Sequence, residues 1–337
     1  MTVPEPESPA LRVGIVGCGL VGNKRAAALG RDKLVACFDL DAPAARSLAD
    51  DFGASACRSL DELLTQQLDV VIVALPHDQL AEHACLALAA SAHVLVEKPA
   101  GIGVDDVRRI ADAAEAAGRR VKVGFNHRFH PGTARAIAEA RSERFGPVLH
   151  VRARYGHGGR LGYEREWRAS RAIAGGGELV DQGMHLFDLS YAIVGPLPLN
   201  AALLRTEFWQ MEVEDNAVII LGERDQGPWT MFHASWTEWK NQFSLEIFCR
   251  SAKLQVDGLT GSYGPQRLSI YSMKPELGPP DVETIEFSAA DESWSREWHE
   301  FAAAVQSADE RPVAGDLESA AYAWHCIDTA YGRQQDE

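Results

Sequence analysis

The stretch GGGELVDQGMHLFDL (Gly175–Leu189) places a histidine, His185, between two carboxylates, Asp181 and Asp188. Their spacing is i, i+4 and i+7. On a helix turning 100° per residue they fall within an arc of about 60°. Val180, Met184, Phe187, Tyr191 and Val194 recur at steps of 4, 3, 4 and 3 and mark the opposite side as the buried face. Such a helix has no packing need for an imidazole lined up with two acids. Imidazole titrates near neutral pH and can accept a proton from an alcohol, and a nearby carboxylate can orient the ring or hold the substrate. A third group stands far upstream: Lys98, in the turn Glu97-Lys98-Pro99 that ends an apolar run. An ammonium group fixed at the end of a buried strand can stabilise a developing alkoxide. Taken singly, the histidine also reads as a satisfied core residue and the lysine as a snorkelling surface charge.

The elements that would position these groups begin with LRVGIVGCGLVG. An apolar run, Leu11 to Val16, leads into Gly17, Gly19 and Gly22 in G-x-G-x-x-G spacing, and a helical pattern follows from Leu20. A second apolar run ends in Asp39, 22 residues after Gly17. Strand, glycine turn, helix and acid in this order form a dinucleotide-binding unit. Gly17 makes the tight turn, Gly19 admits the pyrophosphate and Gly22 lets the helix pack against the strand. Leu20 and Val21 then stand at the helix N-terminus, which faces the phosphates. Asp39 can accept hydrogen bonds from a ribose 2′-hydroxyl and repels a 2′-phosphate, so the expected cofactor is NAD.

Strands and helices go on alternating through LDVVIVALP, HDQLAEHACLALAAS, HVLVEKP, DDVRRIADAAEAAG and RVKVGFNHRF. That alternation implies an α/β fold with a doubly wound parallel sheet. Ligands of such sheets lie beyond the carboxyl ends of the strands. Leu75, Pro76, His77, Glu97 and Lys98 stand there and are candidate cofactor contacts. After about residue 126 the pattern becomes a helix near 131–141, strands near 147–155, 199–208, 213–221, 229–237, 243–249, 252–256 and 267–271, and helices near 294–306 and 316–331. This predicts a second, α+β domain with a large, mostly antiparallel open sheet.

The segment VRARYGHGGRLGYEREWRASR (151–171) carries six arginines and two glutamates just before the helix of His185. Arginines there could clamp a phosphate or diphosphate, or pair with local acids. Tyr155, His157, Arg160, Trp167 and Arg168 are the nearest candidate substrate ligands, and Trp239 offers an aromatic face at a strand end.

Net charge is −15, a poor match for nucleic acid or an anionic membrane, and no apolar run is long enough to span a bilayer. The first ten residues lack an apolar signal core and read as a flexible tail. Six scattered cysteines without CxxC pairs suit a reducing cytoplasm. The HRFH run (His127 to His130) has no evident third ligand, so no metal is expected.

These motifs together identify a family. GIVGCGLVG, VLVEKPAG, GFNHRFHP and GGGELVDQGMHLFDL make the chain resemble, end to end, the glucose–fructose oxidoreductase, inositol dehydrogenase and rhizopine-catabolism (Gfo/Idh/MocA) family of NAD(P)-dependent sugar and polyol dehydrogenases. Two departures are Leu75-Pro76-His77, where that family often has Thr-Pro-Asn, and Leu80, where it often has histidine. The resemblance implies a Rossmann domain over 11–126, a substrate and oligomerisation sheet domain over 127–315, and a C-terminal helix over 316–333 packing back on the Rossmann domain. It implies a homodimer or homotetramer built through the sheet. By motif it assigns Lys98, Asp181 and His185 as catalytic, with Asn126 and Arg128 of the GFNHRFHP motif as further substrate candidates and Asp188 behind the catalytic groups. The function expected is NAD-dependent oxidation of a secondary ring hydroxyl, on a nucleotide sugar, a sugar phosphate or a cyclitol, with His185 as base and Lys98 assisting. A free-polyol dehydrogenase, a lyase or glycosidase using NAD transiently, and a non-catalytic sugar or NAD sensor are alternatives.

The role of Asp39 makes a first prediction. On one substrate, kcat/KM is higher with NAD than with NADP, and Asp39→Ala narrows the gap. Equal values, or an NADP preference in the native chain, would sink the assignment.

Overall fold

The computed structural model describes residues 9–142, 144–276, 278–288, 290–307 and 316–332. The expected tail at 1–10 lies, except for its last two residues, outside them.

Six strands form a parallel sheet: β1 (Arg12–Val16), β2 (Lys33–Phe38), β3 (Ser55–Ala56), β4 (Val70–Val73), β5 (His93–Glu97) and β6 (Val121–Gly124), in the order β3-β2-β1-β4-β5-β6. Between them run α1 (Leu20–Ala27), α2 (Ala42–Phe52), α3 (Leu60–Leu64), α4 (His77–Ala89) and α5 (Val104–Ala117). The central strands are covered on both faces, and all four residues of β4 are buried. In α5, Val104, Val107, Ile110 and Ala114 form the buried stripe, and Gly118 ends the helix in the left-handed conformation.

The second sheet has eight strands. They are β7 (Val148–Gly156), β8 (Leu199–Arg205), β9 (Asn216–Leu221), β10 (Trp229–Ser235), β11 (Gln242–Cys249), β12 (Ala252–Asp257), β13 (Arg267–Ser272) and β14 (Asp281–Glu286), ordered β14-β13-β12-β11-β7-β10-β9-β8. Every pairing is antiparallel except β7 with β10. The sequence pattern did not reveal β14, whose residues are mostly exposed, so its alternation carries no apolar signal. The remaining helices are α6 (Pro131–Arg141), α7 (Arg171–Ala174), α8 (Met184–Val194), α9 (Ser293–Gln306) and α10 (Leu317–Ala330).

The two sheets share a core. Helix α8 lies on the inner face of the large sheet, with Phe187 edge-on to Phe232 at 4.9 Å. Its apolar residues belong to the same buried cluster as Val71 and Val94 of the parallel sheet and Trp324 of α10. The Trp324 indole donates to the Pro99 carbonyl at 2.9 Å, so α10 seats directly behind the Lys98 turn.

Helix α9 departs from the sequence reading, which grouped it with the second sheet. Its Trp298, Phe301 and Ala302 pack with Val13, Ile15 and Leu48 on the other face of the parallel sheet, and Trp298 donates to Asp32 at 2.9 Å. Helices α1 and α2 leave part of that face bare, and a helix arriving from the far end of the chain fills it.

One buried charge cluster ties these parts together. Arg25 of α1 is 1% exposed and donates to Glu97 at 2.6 Å and to Glu297 of α9 at 2.5 Å. A Cβ on Gly124 would stand 2.6 Å from the Arg25 guanidinium and 2.8 Å from the Glu97 carboxylate, so β6 has no side chain there. Removing one partner of a buried pair leaves a charge stranded, at a cost of about 3–5 kcal/mol. Arg25→Ala is therefore expected to lose that much in urea unfolding. Combining Arg25→Met with Glu297→Met is expected to recover part of it, since one stranded acid goes as well.

Candidate active site

The helix of His185 does not begin as a uniform α-helix. Residues Leu179–Gly183 form a π turn that runs directly into α8. A π turn takes one more residue than an α turn, which breaks the polar line expected for Asp181, His185 and Asp188. Asp188 is fully buried and receives Arg128 through both carboxylate oxygens, at 2.6 and 2.5 Å, with the Ser319 hydroxyl at 2.7 Å. Arg128, expected among the substrate ligands, is instead a clamp joining the NHRF turn to α8 and α10.

The glycines ahead of the helix are closely packed. A Cβ on Gly176 would lie 2.1 Å from the Tyr331 hydroxyl, and one on Gly177 would lie 2.1 Å from the Glu214 carbonyl. The Glu214 carboxylate accepts from the backbone N–H of Gly177 and Leu179, both at 3.1 Å, and from Tyr331 at 2.7 Å. It caps the helix start as an anion should.

Lys98, at the end of β5, donates to the Asp181 carboxylate at 2.6 Å and to the Asp181 carbonyl at 2.5 Å. Arg168 approaches the other carboxylate oxygen at 3.4 Å. Burial pushes the Asp181 carboxyl upward, but Lys98 and Arg168 outweigh it and hold the group well below the usual carboxylate range. Asp181 is therefore an anion whose first partner is the lysine rather than the imidazole.

His185 is 6% exposed and its Nδ1 has no hydrogen-bond partner. Its ring stacks on His127 at 3.7 Å, and His127 in turn packs on Tyr155 at 5.0 Å. Burial, then the Lys98 charge, hold His185 well below the ordinary imidazole range, and His127 is lowered likewise. Both rings are neutral, and His185 keeps a buried nitrogen with nothing to bond. His127 escaped the sequence reading as a site residue. Its signal was the HRFH run, weighed there for metal only. Among the described residues no group of three or more His, Cys, Asp or Glu side chains is arranged to hold a metal.

Lys98, Asp181 and His185 line one cavity of about 740 Å³. Of the expected ligands, Asn126, Tyr155 and His157 line it too, as do Val21 and Glu97. Asn126 also donates to Ser293 at 2.9 Å and meets the His127 ring at 3.1 Å. Glu97 gives its carboxylate to Arg25, so its part is to hold the strand end. Gln182, Tyr263 and the loop around Thr260 complete the wall. Gln182 is the neighbour of Asp181 in its own motif, whereas no motif pointed to Tyr263 and the Thr260 loop, which come from a strand connection far beyond the helix of His185.

Three expected residues lie elsewhere or serve otherwise. Trp239 is 69% exposed and packs edge-on to Phe208. Arg160 is exposed and bound to Glu166 at 2.8 Å. Trp167 stands edge-on to His77 at 4.8 Å, with the Arg168 guanidinium over its ring. Arg154, whose neighbour Tyr155 faces inward, points to the opposite face of the sheet beside Ser244 and Asp257.

The glycine turn fits a dinucleotide. Gly17 has φ +95°, and a Cβ there would meet the Ala74 carbonyl at 2.2 Å. A Cβ on Gly22 would meet the Gly17 carbonyl at 2.0 Å. At Gly19 a Cβ would touch no protein atom, so the open space beside it is room for a ligand. Leu20, next in line, is 76% exposed. The Asp39 carboxylate is aimed by the N–H of Cys18 at 2.7 Å and of Asp41 at 2.8 Å. Beyond Leu75 and Pro76, the His77 ring bonds the Ala174 carbonyl at 2.8 Å and links the β4 end to the catalytic loop.

Comparison with known proteins agrees with this architecture. Residues 11–125 match the oxidoreductase family with an NAD-binding Rossmann fold, and residues 133–255 match the GFO/IDH/MocA C-terminal domain. The chain belongs to the Gfo/Idh/MocA family, and residues 11–125 are its NAD-binding Rossmann unit. Among its relatives are glucose-6-phosphate 3-dehydrogenase of Bacillus subtilis (strain 168), 30% identical over 53% of this chain and 52% of that protein, and D-glucoside 3-dehydrogenase of Escherichia coli (strain K12), 30% identical over 56% and 55%. The matched region thus spans about half the length of these curated relatives. A solved structure of GenD2 from gentamicin A biosynthesis in complex with NAD is 25% identical, with a TM-score of 0.82 over 100% of this chain and 97% of that one. Levoglucosan dehydrogenase with NADH and levoglucosan shares the fold, at 19% identity and a TM-score of 0.84 over 97% of this chain and 98% of that one.

The buried imidazoles set the acid stability. His77 is held down to about 3 by burial, and His127, His130 and His185 are lowered for the same first reason. In the unfolded chain each titrates near 6.5. Below that value the unfolded state takes up protons that the fold refuses, so stability is full above about pH 6.5 and falls as pH drops toward the folded values. Calorimetry is expected to show Tm declining from pH 7 to pH 5, opposed in part by the buried Glu178, Glu214 and Glu297, whose carboxyls burial pushes up. A Tm that rises over that interval would mean that the rings do not govern acid stability.

Proposed function

We propose that the protein oxidises a secondary ring hydroxyl of a sugar or cyclitol to a ketone. The observation that carries this reading is the meeting of Lys98, Asp181 and His185 in one cavity at the carboxyl ends of the parallel strands. A hydroxyl placed between Lys98 and His185 can give its proton to the neutral imidazole. The ammonium group of Lys98 stabilises the oxygen as negative charge develops there. Asp181 keeps Lys98 aimed, and its free lone pairs can accept from a neighbouring substrate hydroxyl. NAD, when bound, supplies the hydride acceptor. Burial keeps His185 neutral and ready to accept before substrate arrives. The relatives named as 3-dehydrogenases of glucose 6-phosphate and of D-glucosides support the substrate class and the reaction type.

The outer face of the large sheet supports assembly as a homodimer or homotetramer. Ile220 and Met231 lie opposite one another there, with Trp229 stacked on His150 at 4.5 Å, and all three apolar side chains are more than a third exposed. Such a patch is what an interface covers. A reducing, cytoplasmic setting fits the six free cysteines, and among the described residues no helix is long and apolar enough to cross a membrane.

The direct test is NADH formation across inositols, hexoses, hexose phosphates and nucleotide sugars. On the best substrate, His185→Ala is expected to lose about 10²–10⁴ in kcat while NAD still binds. Lys98→Met is expected to lose a comparable factor. The double variant should lose far less than the product of the two, since both groups act on one transition state. A near-native kcat in His185→Ala would remove the histidine from the reaction. Substrate turnover without net NADH would replace the dehydrogenase with a reaction that uses the cofactor transiently.

A further inference from the structure

The cavity is longer than the catalytic groups require. Its lining on α1 runs from Val21 to Ala28, about 10 Å of helix, and the opposite wall is the loop from Leu259 to Tyr263 with Trp294 and Ser295 of α9. Charges along this arm are unevenly matched. Glu97 is taken by Arg25 at 2.6 Å and Asp181 by Lys98 at 2.6 Å. Asp291 accepts from Trp294 at 3.0 Å and from the Ser293 hydroxyl at 2.6 Å, with His130 at 3.7 Å. Among the described residues, Lys24 is the cavity cation to which no carboxylate answers. Its ammonium group lies 5.1 Å over the Trp294 ring, and the Arg25 guanidinium lies over the same ring at 4.5 Å. The Lys24 charge also reaches inward, since it helps to depress both His127 and His130. His130 is 2% exposed, and its Nδ1 has no hydrogen-bond partner.

The facing loop is held in an unusual shape. Thr260, a β-branched residue, has φ +71° and is fixed by its N–H on the Gly264 carbonyl at 2.8 Å. Backbone conformations of this kind persist where surrounding structure imposes them, often beside ligands. Next to it, the Ser262 hydroxyl accepts from Asn241 at 2.7 Å and keeps its own proton to donate.

We propose that Lys24, Trp294 and Ser262 form a subsite for a phosphoryl group carried by the substrate on the side of its ring remote from the oxidised carbon. The inference rests on the dehydrogenase reading and deepens it: the substrate is a phosphorylated sugar or cyclitol, bound with its ring at Lys98 and His185 and its phosphate against Lys24. The arginine-rich segment, the obvious candidate from sequence, is committed elsewhere. Arg160 holds Glu166, Arg168 holds Asp181 and Arg154 faces the far side of the sheet. A phosphoryl group at Lys24 would meet a positive charge over an aromatic face and a hydroxyl donor, while the Asp291 carboxylate is turned to the Trp294 indole and the Ser293 hydroxyl.

The test compares matched substrates. In the native protein, kcat/KM for glucose 6-phosphate is expected to exceed that for glucose, and the preference is expected to shrink as salt is raised. Lys24→Gln should cut the ratio about tenfold or more, the worth of a charge-assisted contact, and Lys24→Arg should restore most of it. UDP-glucose in the same assay separates a monophosphate from a diphosphate as the source of the phosphoryl group. Calorimetric titration of glucose 6-phosphate in the presence of NADH gives a second readout. Binding that Lys24→Gln abolishes, with no NADH formed from any sugar, would uphold the subsite and overturn the dehydrogenase reading. Oxidation of neutral and phosphorylated sugars at equal kcat/KM, unmoved by Lys24→Gln, would overturn the subsite and leave the dehydrogenase standing. No binding and no oxidation of glucose 6-phosphate or UDP-glucose would overturn the subsite, and no NADH from neutral sugars and inositols as well would overturn both.

Discussion

The buried ion pair between Lys98 and Asp181 joins the end of a strand in one sheet to the helix that lies on the other. Everything around it serves its geometry. The lysine is placed by β5, whose preceding residue, Glu97, is pinned by Arg25 against α9. The aspartate is placed by a π turn whose start is capped by Glu214 and wedged by Tyr331 of α10. The Pro99 carbonyl following the lysine is held by Trp324, also of α10. Two helices from the end of the chain therefore brace the one contact on which the site depends, each from a different face of the parallel sheet. A buried pair of this kind is poor evidence of net stability, because desolvation offsets much of the attraction. Its value here is positional: it fixes an ammonium group beside a neutral imidazole.

That imidazole is neutral for a related reason. Charging His185 would add a second cation beside Lys98 at a buried position, against the face of a second imidazole, His127. Low dielectric magnifies both costs. The same burial that deprotonates the ring leaves its nitrogen without a partner, a cost normally avoided in protein interiors. The proposed base function needs that neutral state, since only an uncharged ring can take up a proton. Asp188 shows the contrast. It too is fully buried, but a bidentate arginine and a serine saturate it, and it takes no part in the cavity.

Much of the frame was legible in the residues. The glycine turn, the acid 22 residues on and the alternation of short apolar runs with helical stripes depend on local geometry: φ sign, strand pleat and helix period each act within a few residues. Lys98 and the Asp181–His185 pair were legible too, because each sits in a compact motif. Legibility failed where the decision was long-range. Nothing local distinguishes Arg128, which clamps Asp188, from a ligand-binding arginine, or shows that Arg154 faces away while Tyr155 faces in. The packing of Gly176 and Gly177 against Tyr331 and Glu214 was invisible for the same reason.

By itself, the sequence determined a nicotinamide-dinucleotide cradle, two sheets in order along the chain and a set of residues able to move a proton. Those follow from periodicity and short motifs, whose physics is contained in the neighbouring residues. Tertiary structure alone decided which charges are spent and which are left over. It paired Arg25 with Glu97 and Glu297, gave Asp181 to Lys98 before His185, stacked His127 on the base and left Lys24 facing the cavity without an acid. Pairing of charges is a matter of distance in space, and the partners here lie as far as 272 positions apart in the chain. No reading of spacing along the backbone can assign them.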